Sequence, residues 1–168
     1  MSVKLTEDMQ AIIRSAHLCF AATVTPEGRP NVSPKGTIRV WDENHLFFLD
    51  IASPGTRANL IVNPYMELNV VDQLSRRGYR FSGQAAVHDN GDIFERAVDM
   101  LLAEEDATYR VASVVVLELE HAAPLVSPGY WHVADENVMR ASWRERRNAL
   151  ERELEAHLAR HGPFRVGP

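Results

Sequence analysis

The sequence predicts a mainly β protein with added helices (α+β), in which a small antiparallel barrel of six strands is followed by a long C-terminal helix. Short runs of β-branched and aromatic residues alternate with tight turns, which is typical of antiparallel strands. The links between the strands from residue 18 to residue 51 are too short for the crossovers that parallel strands require. The length of 168 residues fits a single domain spanning residues 1–168.

Composition narrows the class of protein. The net charge of −5 argues against nucleic acid as the main partner, because nucleic-acid binding normally needs a basic face. No apolar run approaches the roughly 20 residues that cross a bilayer, and the opening MSVKLTEDMQ lacks the apolar core of a signal peptide. The lone cysteine, Cys19, has no partner for an internal disulfide. We therefore expect a cytoplasmic protein with no nucleic-acid or membrane partner.

The first elements follow from capping and from alternation. Thr6 is placed to cap a helix in which Met9, Ile12 and Ile13 recur at helical spacing. From residue 18 to residue 25 the pattern becomes that of a strand, and Cys19 is expected to be a core residue rather than a nucleophile. One face of this strand is predicted to carry Leu18, Phe20, Ala22 and Val24.

Residues 31–41 are predicted to form the next strand, although Pro34 and Gly36 interrupt it. Proline cannot donate to a strand ladder, and glycine in a strand often marks close approach of the backbone to another group. Two interpretations remain open at this stage. The segment is either an edge strand with a bulge or a backbone wall that a ligand approaches.

The strand at residues 45–51 is apolar on both faces, so we expect it to be covered on both sides by a helix or a second subunit. Asp50 lies near its end. The sequence SPG then breaks the strand, and a short helix is predicted with Thr56 near its N-cap and Pro64 just beyond its end.

The remaining elements alternate between strands and helices. Strands are predicted at residues 65–72, 79–87 and 113–120, with a helix that starts near Asp92. The segment HAAPLVSPGYW is predicted to be irregular. The long helix at residues 137–160 carries an apolar stripe that must pack against its own barrel or a partner subunit. The stripe consists of Met139, Trp143, Leu150, Leu154 and Leu158.

The start of the short helix is a candidate phosphate site. A helix that opens at Thr56 offers free backbone N–H groups and a partial positive charge. Thr56 adds a hydroxyl and Arg57 adds a guanidinium, which together suit an anion. Lys35 supplies a second positive charge from across the sheet. The alternative is that Thr56 serves only as a structural helix cap.

Several segments, in their order and spacing, resemble the flavin-binding split-barrel family related to pyridoxamine 5′-phosphate oxidase. They are GRPNVSPKG, PGTRANL with the following NP, and RGYRFSGQA. The resemblance spans about residues 11–119 and is closest at residues 28–64. It implies a six-stranded antiparallel split barrel that forms a homodimer, with an FMN in each of two grooves between the subunits. The implied activity is an FMN-dependent oxidoreductase that transfers hydride between the flavin and a small molecule.

The resemblance also implies a set of cofactor-binding residues. Those expected to line the isoalloxazine and ribityl side are Ser33, Lys35, Gly36 and Thr37. Asp50 would end the strand that runs past the flavin, and Thr56 and Arg57 would hold the phosphate. Arg80 would add a contact from a neighbouring strand, within the subunit or across the dimer. No side chain stands out as an acid or base, so the flavin would carry the reaction.

The sequence departs from the true pyridoxamine phosphate oxidases at its C-terminal end. The pattern with which those enzymes bind pyridoxal phosphate has no match, and a long charged helix stands there instead. The alternatives to an FMN oxidoreductase are a flavin carrier or sensor without turnover, or a relative that binds F420 or haem. The seven histidines are scattered, and only His157 and His161 share a helical face, so no metal site is predicted.

Overall fold

The computed structural model describes residues 3–103, 110–163 and 165. The α-helices within these residues are α1 (Glu7–Ala16), α2 (Pro54–Val62), α3 (Asp92–Leu102) and α4 (Glu136–His161), and a short 3-10 helix covers Pro128–Trp131. The strands are β1 (Cys19–Val24), β2 (Pro30–Lys35), β3 (Arg39–Val40), β4 (His45–Asp50), β5 (Tyr65–Asp72), β6 (Arg77–His88) and β7 (Ser113–Val126).

The described residues group into two compact units. The first contains those of Met1–Asp72 and Arg77–Leu125, and the second those of Gln73–Arg76 and Val126–Pro168. The single domain of residues 1–168 stays a prediction. No helix in the described part of the chain has the length and apolar character to span a membrane.

The first unit is a curled sheet with the strand order β2-β1-β5-β6-β7-β4-β3. Neighbouring strands run antiparallel, as the pairings of β1 with β2 and β5, β5 with β6, and β4 with β3 and β7 show. This arrangement, with the long helix α4, confirms the predicted fold class of a mainly β protein with added helices.

Within the described residues the sheet has seven strands rather than six, because residues 31–41 do not form one strand. Residues 30–35 form β2 on one edge of the sheet, and residues 39–40 form β3 on the other edge. Pro34 suits β2 because an edge strand tolerates the missing donor. The predicted interruption was correct, but its cause is a crossing of the chain between two edges at residues 36–38. Sequence alternation alone carries no information about that crossing.

Both faces of β4 are buried, as predicted. Leu46 and Phe48 pack in the main core inside the curl of the sheet. Phe47 and Leu49 pack in a second core with residues of α3 such as Leu101. A helix of the same chain therefore covers the second face of this strand.

Phe20, Ala22 and Val24 share one face of β1, as predicted, but this face is not the buried one. Cys19 and Ala21 are fully buried, whereas Phe20 and Val24 keep 50% and 40% of their surface exposed. Alternation with a period of two defines the two faces of a strand but does not say which one points inward. Cys19 is a core residue, as expected, and burial raises the pKa of its thiol to about 12.

Some of the other predicted helix and strand boundaries agree with the structure, and others differ from it. Thr6 caps α1 by accepting a hydrogen bond from Met9 N at 3.2 Å, and β5 has the predicted bounds. β7 continues to Val126, so the prediction of an irregular segment from residue 121 is wrong over its first six residues. In α4, Met139 is buried and Trp143 and Leu158 are half-buried, but Leu150 and Leu154 are each 54% exposed, so part of the predicted stripe is not covered in this chain.

Candidate functional site

A cavity of about 470 Å³ lies where β2, the crossing segment and the end of β4 meet. Its volume falls within the usual range for small-molecule sites. The lining residues come from two short stretches of the chain, Ser33 to Thr37 and Leu49 with Ile51 to Ser53. Four of the predicted flavin-contacting residues are therefore brought to one cavity. They are Ser33, Lys35, Gly36 and Thr37.

Thr37 fixes the crossing segment against β4. Its buried hydroxyl donates to the Leu49 carbonyl at 3.1 Å and accepts from the Leu49 amide at 2.9 Å. The side chain thus takes both hydrogen bonds that a neighbouring strand would otherwise make with Leu49. Two hydrogen bonds therefore hold the wall of the cavity at this point, although it is not part of a regular strand.

Lys35 is the positive group of the cavity wall. The residue is 5% exposed, and its Nζ lies 2.6 Å from both Ser33 Oγ and Ser53 Oγ. The Phe48 ring is 5.5 Å from the same nitrogen. Burial lowers the pKa of Lys35, and the nearby carboxylate of Asp50 opposes that shift. An ammonium has three donors, so one is left for a group in the cavity.

Asp50 organises the loop behind Lys35 rather than facing the cavity. It is 3% exposed and accepts two hydrogen bonds from Ser53, one from the amide at 2.9 Å and one from the hydroxyl at 2.5 Å. Ser53 Oγ in turn accepts from Lys35. The carboxylate, the hydroxyl and the ammonium therefore form one chain that places the cation at the cavity.

The helix α2 begins directly at this loop. Thr56 lies three residues after the N-cap, Ser53, and is therefore near it, as predicted. The helix nevertheless starts at Pro54, two residues before the predicted opening at Thr56. The reason is that proline is well suited to the first helical position. Ser53 makes no side-chain capping bond, since its hydroxyl is bonded to Lys35 and Asp50. The first turn of α2 is left without a side-chain cap.

A polar contact fixes α2 against the sheet. Asn59 is 5% exposed, and its Nδ2 donates to the hydroxyl of Thr23 on β1 at 2.9 Å. The same hydroxyl accepts from Asn31 of β2 at 3.1 Å. These bonds, together with burial of Leu60, set the orientation of the helix and of its first turn.

Thr56 and Arg57 occupy that first turn. Thr56 is 2% exposed, and neither its Oγ1 nor the buried Nε of Arg57 has a hydrogen-bond partner among the described residues. Buried polar atoms are nearly always paired in native proteins, so the unpaired atoms of these two consecutive residues are candidates for hydrogen bonds to a bound group. Arg57 also lies 2.9 Å, through Nη2, from Asp89 Oδ2.

Arg80 does not join this group. Its guanidinium pairs with Glu67 at 3.1 Å and with Asn69 at 3.3 Å on the neighbouring strand β5. It is exposed and is not among the residues that line the cavity. A contact from Arg80 to a ligand in its own subunit is thus not supported, and a contact across a dimer stays a prediction.

Sequence reasoning missed two residues of this region, Ser53 and Asp89. Ser53 had a usable signal, because serine directly before proline is typical of a helix N-cap followed by the first helical residue. Asp89 had none, since it lies 32 positions from Arg57 in the sequence. The arrangement as a whole offers a mostly apolar cavity with one buried cation, adjoining a helix start that can hold an anion.

Residues 5–123 match the family described as pyridoxamine 5′-phosphate oxidase. The match covers most of the chain and all of the residues of the candidate site. The chain belongs to this family. Residues 124–168, which include α4, lie outside the match.

Solved structures with the same fold include HupZ of Group A Streptococcus, with 28% identity, a TM-score of 0.67 and coverage of 73% of this chain and 95% of that one. An FMN-binding protein of Syntrophomonas wolfei shares 16% identity and a TM-score of 0.61, over 72% of this chain and 86% of that one. An F420 reductase shares 18% identity and has a TM-score of 0.55, over 71% of this chain and 98% of that one. The latter two likenesses bear on the fold alone. A search of curated proteins found no match.

Proposed function

We propose that this protein is an FMN-dependent oxidoreductase of the split-barrel kind, acting on a small molecule in the cytoplasm. The observation that carries the proposal is the pair of unpaired buried atoms, Thr56 Oγ1 and Arg57 Nε, in the uncapped first turn of α2. A phosphate supplies the missing acceptors, and a helix N-terminus with an arginine favours its charge. The cavity that shares Ser53 with this helix would take the rest of the cofactor.

The residues fit a flavin in three respects. The cavity is of ligand size and is lined mostly by apolar and backbone groups. Lys35 offers a donor from the wall, which suits a ring system with several acceptor atoms. Thr37 and Asp50 hold that wall in place without occupying the cavity. Hydride transfer is the chemistry that a flavin supplies once bound, and the protein would bind and orient it.

We further propose a homodimer. The outer face of β2, β1 and β5 carries a patch of partly exposed apolar side chains: Phe20, Val24, Val32, Tyr65 and Val71. The strand register places them all on one face. Exposed apolar side chains gathered on one face favour an interaction surface. Replacing Val32, which is 62% exposed, by Asp should shift the protein to the monomer in sedimentation experiments; an unchanged mass would refute this interface.

The proposed cofactor site is tested by titration with FMN and with riboflavin, followed by flavin fluorescence. Arg57→Ala should weaken FMN binding by more than about tenfold, the equivalent of roughly 1.4 kcal/mol. Riboflavin, which lacks the phosphate, should bind the variant and the parent alike. Equal FMN affinity of both proteins would remove the phosphate site from the proposal.

Catalysis needs a separate assay, because a flavin carrier or sensor would pass the binding test. The oxidoreductase is expected to reduce its bound flavin with NADH or NADPH well above the rate of free FMN. Tight binding without such reduction would favour the carrier. Binding of F420, or a Soret band with haem, in place of FMN binding would keep the fold and change the chemistry.

A further inference from the structure

Asp89 lies beside the candidate phosphate site and has no role in the proposal above. It stands on the short connection between β6 and α3, and its Oδ2 accepts from Arg57 Nη2 at 2.9 Å. Its other oxygen accepts from Asn90 Nδ2 at 2.8 Å. The two partners of the ion pair are 36% and 52% exposed at their side chains, Arg57 being the more buried.

The two ends of the Arg57 guanidinium differ in their surroundings. Nη2 is engaged by the carboxylate of Asp89, whereas Nε is buried without a partner among the residues that the structure describes. The hydroxyl of Thr56, in the same helical turn, is also buried and unpaired. The charge of Arg57 is thus already compensated by a carboxylate, although the donors that face inward still lack an acceptor.

We propose that Asp89 competes with the bound phosphate for Arg57 and thereby sets how strong an anion must be to occupy the site. This inference rests on the proposed function, since it requires a phosphate at Thr56 and Arg57. Asp89 would lower the affinity of the site for every anion. A phosphate dianion would still bind, whereas weak anions such as chloride would leave the site largely empty.

Arg57 attracts both the phosphate and the carboxylate of Asp89, while the phosphate and that carboxylate repel each other. A phosphate offers more charge and more acceptor oxygens to a guanidinium than a carboxylate does, so it can win the competition. Its binding also brings a dianion close to the negative charge of Asp89, which opposes binding. A monoanion is attracted less strongly by Arg57 and repelled less strongly by Asp89, because both energies scale with its charge. Removal of that charge should therefore strengthen the binding of every anion, weak ones included.

The test is the variant Asp89→Asn, which keeps the size of the side chain and an acceptor oxygen but removes the charge. Its FMN affinity should rise about three- to tenfold at low salt, because the pair is close but partly exposed. Riboflavin affinity should not change. Chloride should compete with FMN more strongly in the variant than in the parent. Asp89→Glu, which keeps the charge, should remain near the parent.

Asp92→Asn is the matched control, since it makes the same change in net charge three residues further along. Asp92 is an exposed residue in the first turn of α3, and the FMN affinity of this variant should stay within about twofold of the parent, because solvent and salt screen an exposed charge. Unchanged or weaker FMN binding in Asp89→Asn would overturn the inference. Weaker FMN binding by this variant would mean that Asp89 orients Arg57 rather than competing for it.

The failure of this inference is distinguishable from failure of the proposed function. If Arg57→Ala leaves FMN affinity unchanged, no phosphate binds at Arg57. The proposed function is then wrong at this site, and Asp89 has no phosphate to compete with. If Arg57→Ala weakens FMN binding but Asp89→Asn does not strengthen it, only the role of Asp89 is refuted. Circular dichroism and thermal unfolding of each variant confirm that the comparison is between folded proteins.

Discussion

Replacing Thr56 by valine should make the ligand-free protein more stable and its FMN binding weaker. Thr56 is 2% exposed, and its hydroxyl is without a partner in the described part of the chain. Valine has nearly the same shape, is also β-branched and has a similar helix propensity, so that the hydroxyl is the main change. The two effects have opposite signs because the group that is unsatisfied in the free protein is the one that would meet the phosphate.

The magnitudes follow from the cost of burying an unpaired polar group. That cost is about 1–3 kcal/mol, which is the expected gain in free energy of unfolding for the ligand-free variant. At roughly 2–4 °C per kcal/mol for a chain of this size, the melting temperature should rise by several degrees. A hydrogen bond to a charged acceptor contributes about 1.5–3 kcal/mol, so FMN affinity should fall by about tenfold or more.

Urea unfolding without ligand and fluorescence titration with FMN measure the two quantities on the same samples. Thr37→Val is the matched control, because this buried hydroxyl both donates to and accepts from the backbone of Leu49. Its loss leaves two backbone groups unpaired, so the control should be destabilised by about 1–3 kcal/mol. The same substitution is thus expected to have opposite effects on stability at two positions.

Two results would contradict the argument about Thr56. A ligand-free Thr56→Val protein that is less stable than the parent would show that the hydroxyl has a partner, such as a bound water, that offsets its burial. A more stable variant with unchanged FMN affinity would show that the phosphate does not meet Thr56. In the second case Arg57 alone would have to account for any anion binding.

Two further predictions concern the fold. Gly83→Ala should destabilise the protein by about 2–4 kcal/mol, because a Cβ there collides with the carbonyl oxygen of Glu118 on β7; a urea midpoint like that of the parent would refute this. Hydrogen bonds from Tyr79, and then from Arg77, hold the pKa of Asp8 below its usual range. Their stabilising effect is present above about pH 4 and is lost as the pH falls through the lowered pKa. Asp8→Asn should therefore flatten the acid limb of a stability–pH curve, and an unchanged limb would contradict the assignment.

Much of the fold could be predicted because local patterns determine it. The bounds of β5 follow from strict alternation, and the start of α1 follows from the capping position of Thr6. The exchange between β2 and β3 could not be predicted, since the sequence around Pro34 and Gly36 shows only that a strand is interrupted. Where the chain goes next depends on how far the whole sheet curls, which is a property of all its strands.

The candidate site likewise has a part that could be predicted from the sequence and a part that could not. The residues of one continuous segment, Ser33 to Thr37, were predicted together and lie together. Arg80 was assigned to the site by resemblance, although alternation already indicates the opposite face. Its neighbour Phe81 is fully buried inside the curl, so a side chain one position earlier points outward. Contacts between distant segments, such as the one from Asp89 to Arg57, lie beyond any local pattern.

The open edge of the sheet leaves room for the cavity beside the start of α2. A barrel closed by regular pairing would place a strand where residues 36–38 cross, and the backbone there would be used up in ladder hydrogen bonds. Here the hydroxyl of Thr37 replaces that pairing, and the loop after β4 is free to serve two purposes. Ser53 accepts a hydrogen bond from Lys35 in the cavity wall and is also the N-cap of α2. A movement of the start of α2 should therefore change the hydrogen bond of the buried Lys35 ammonium.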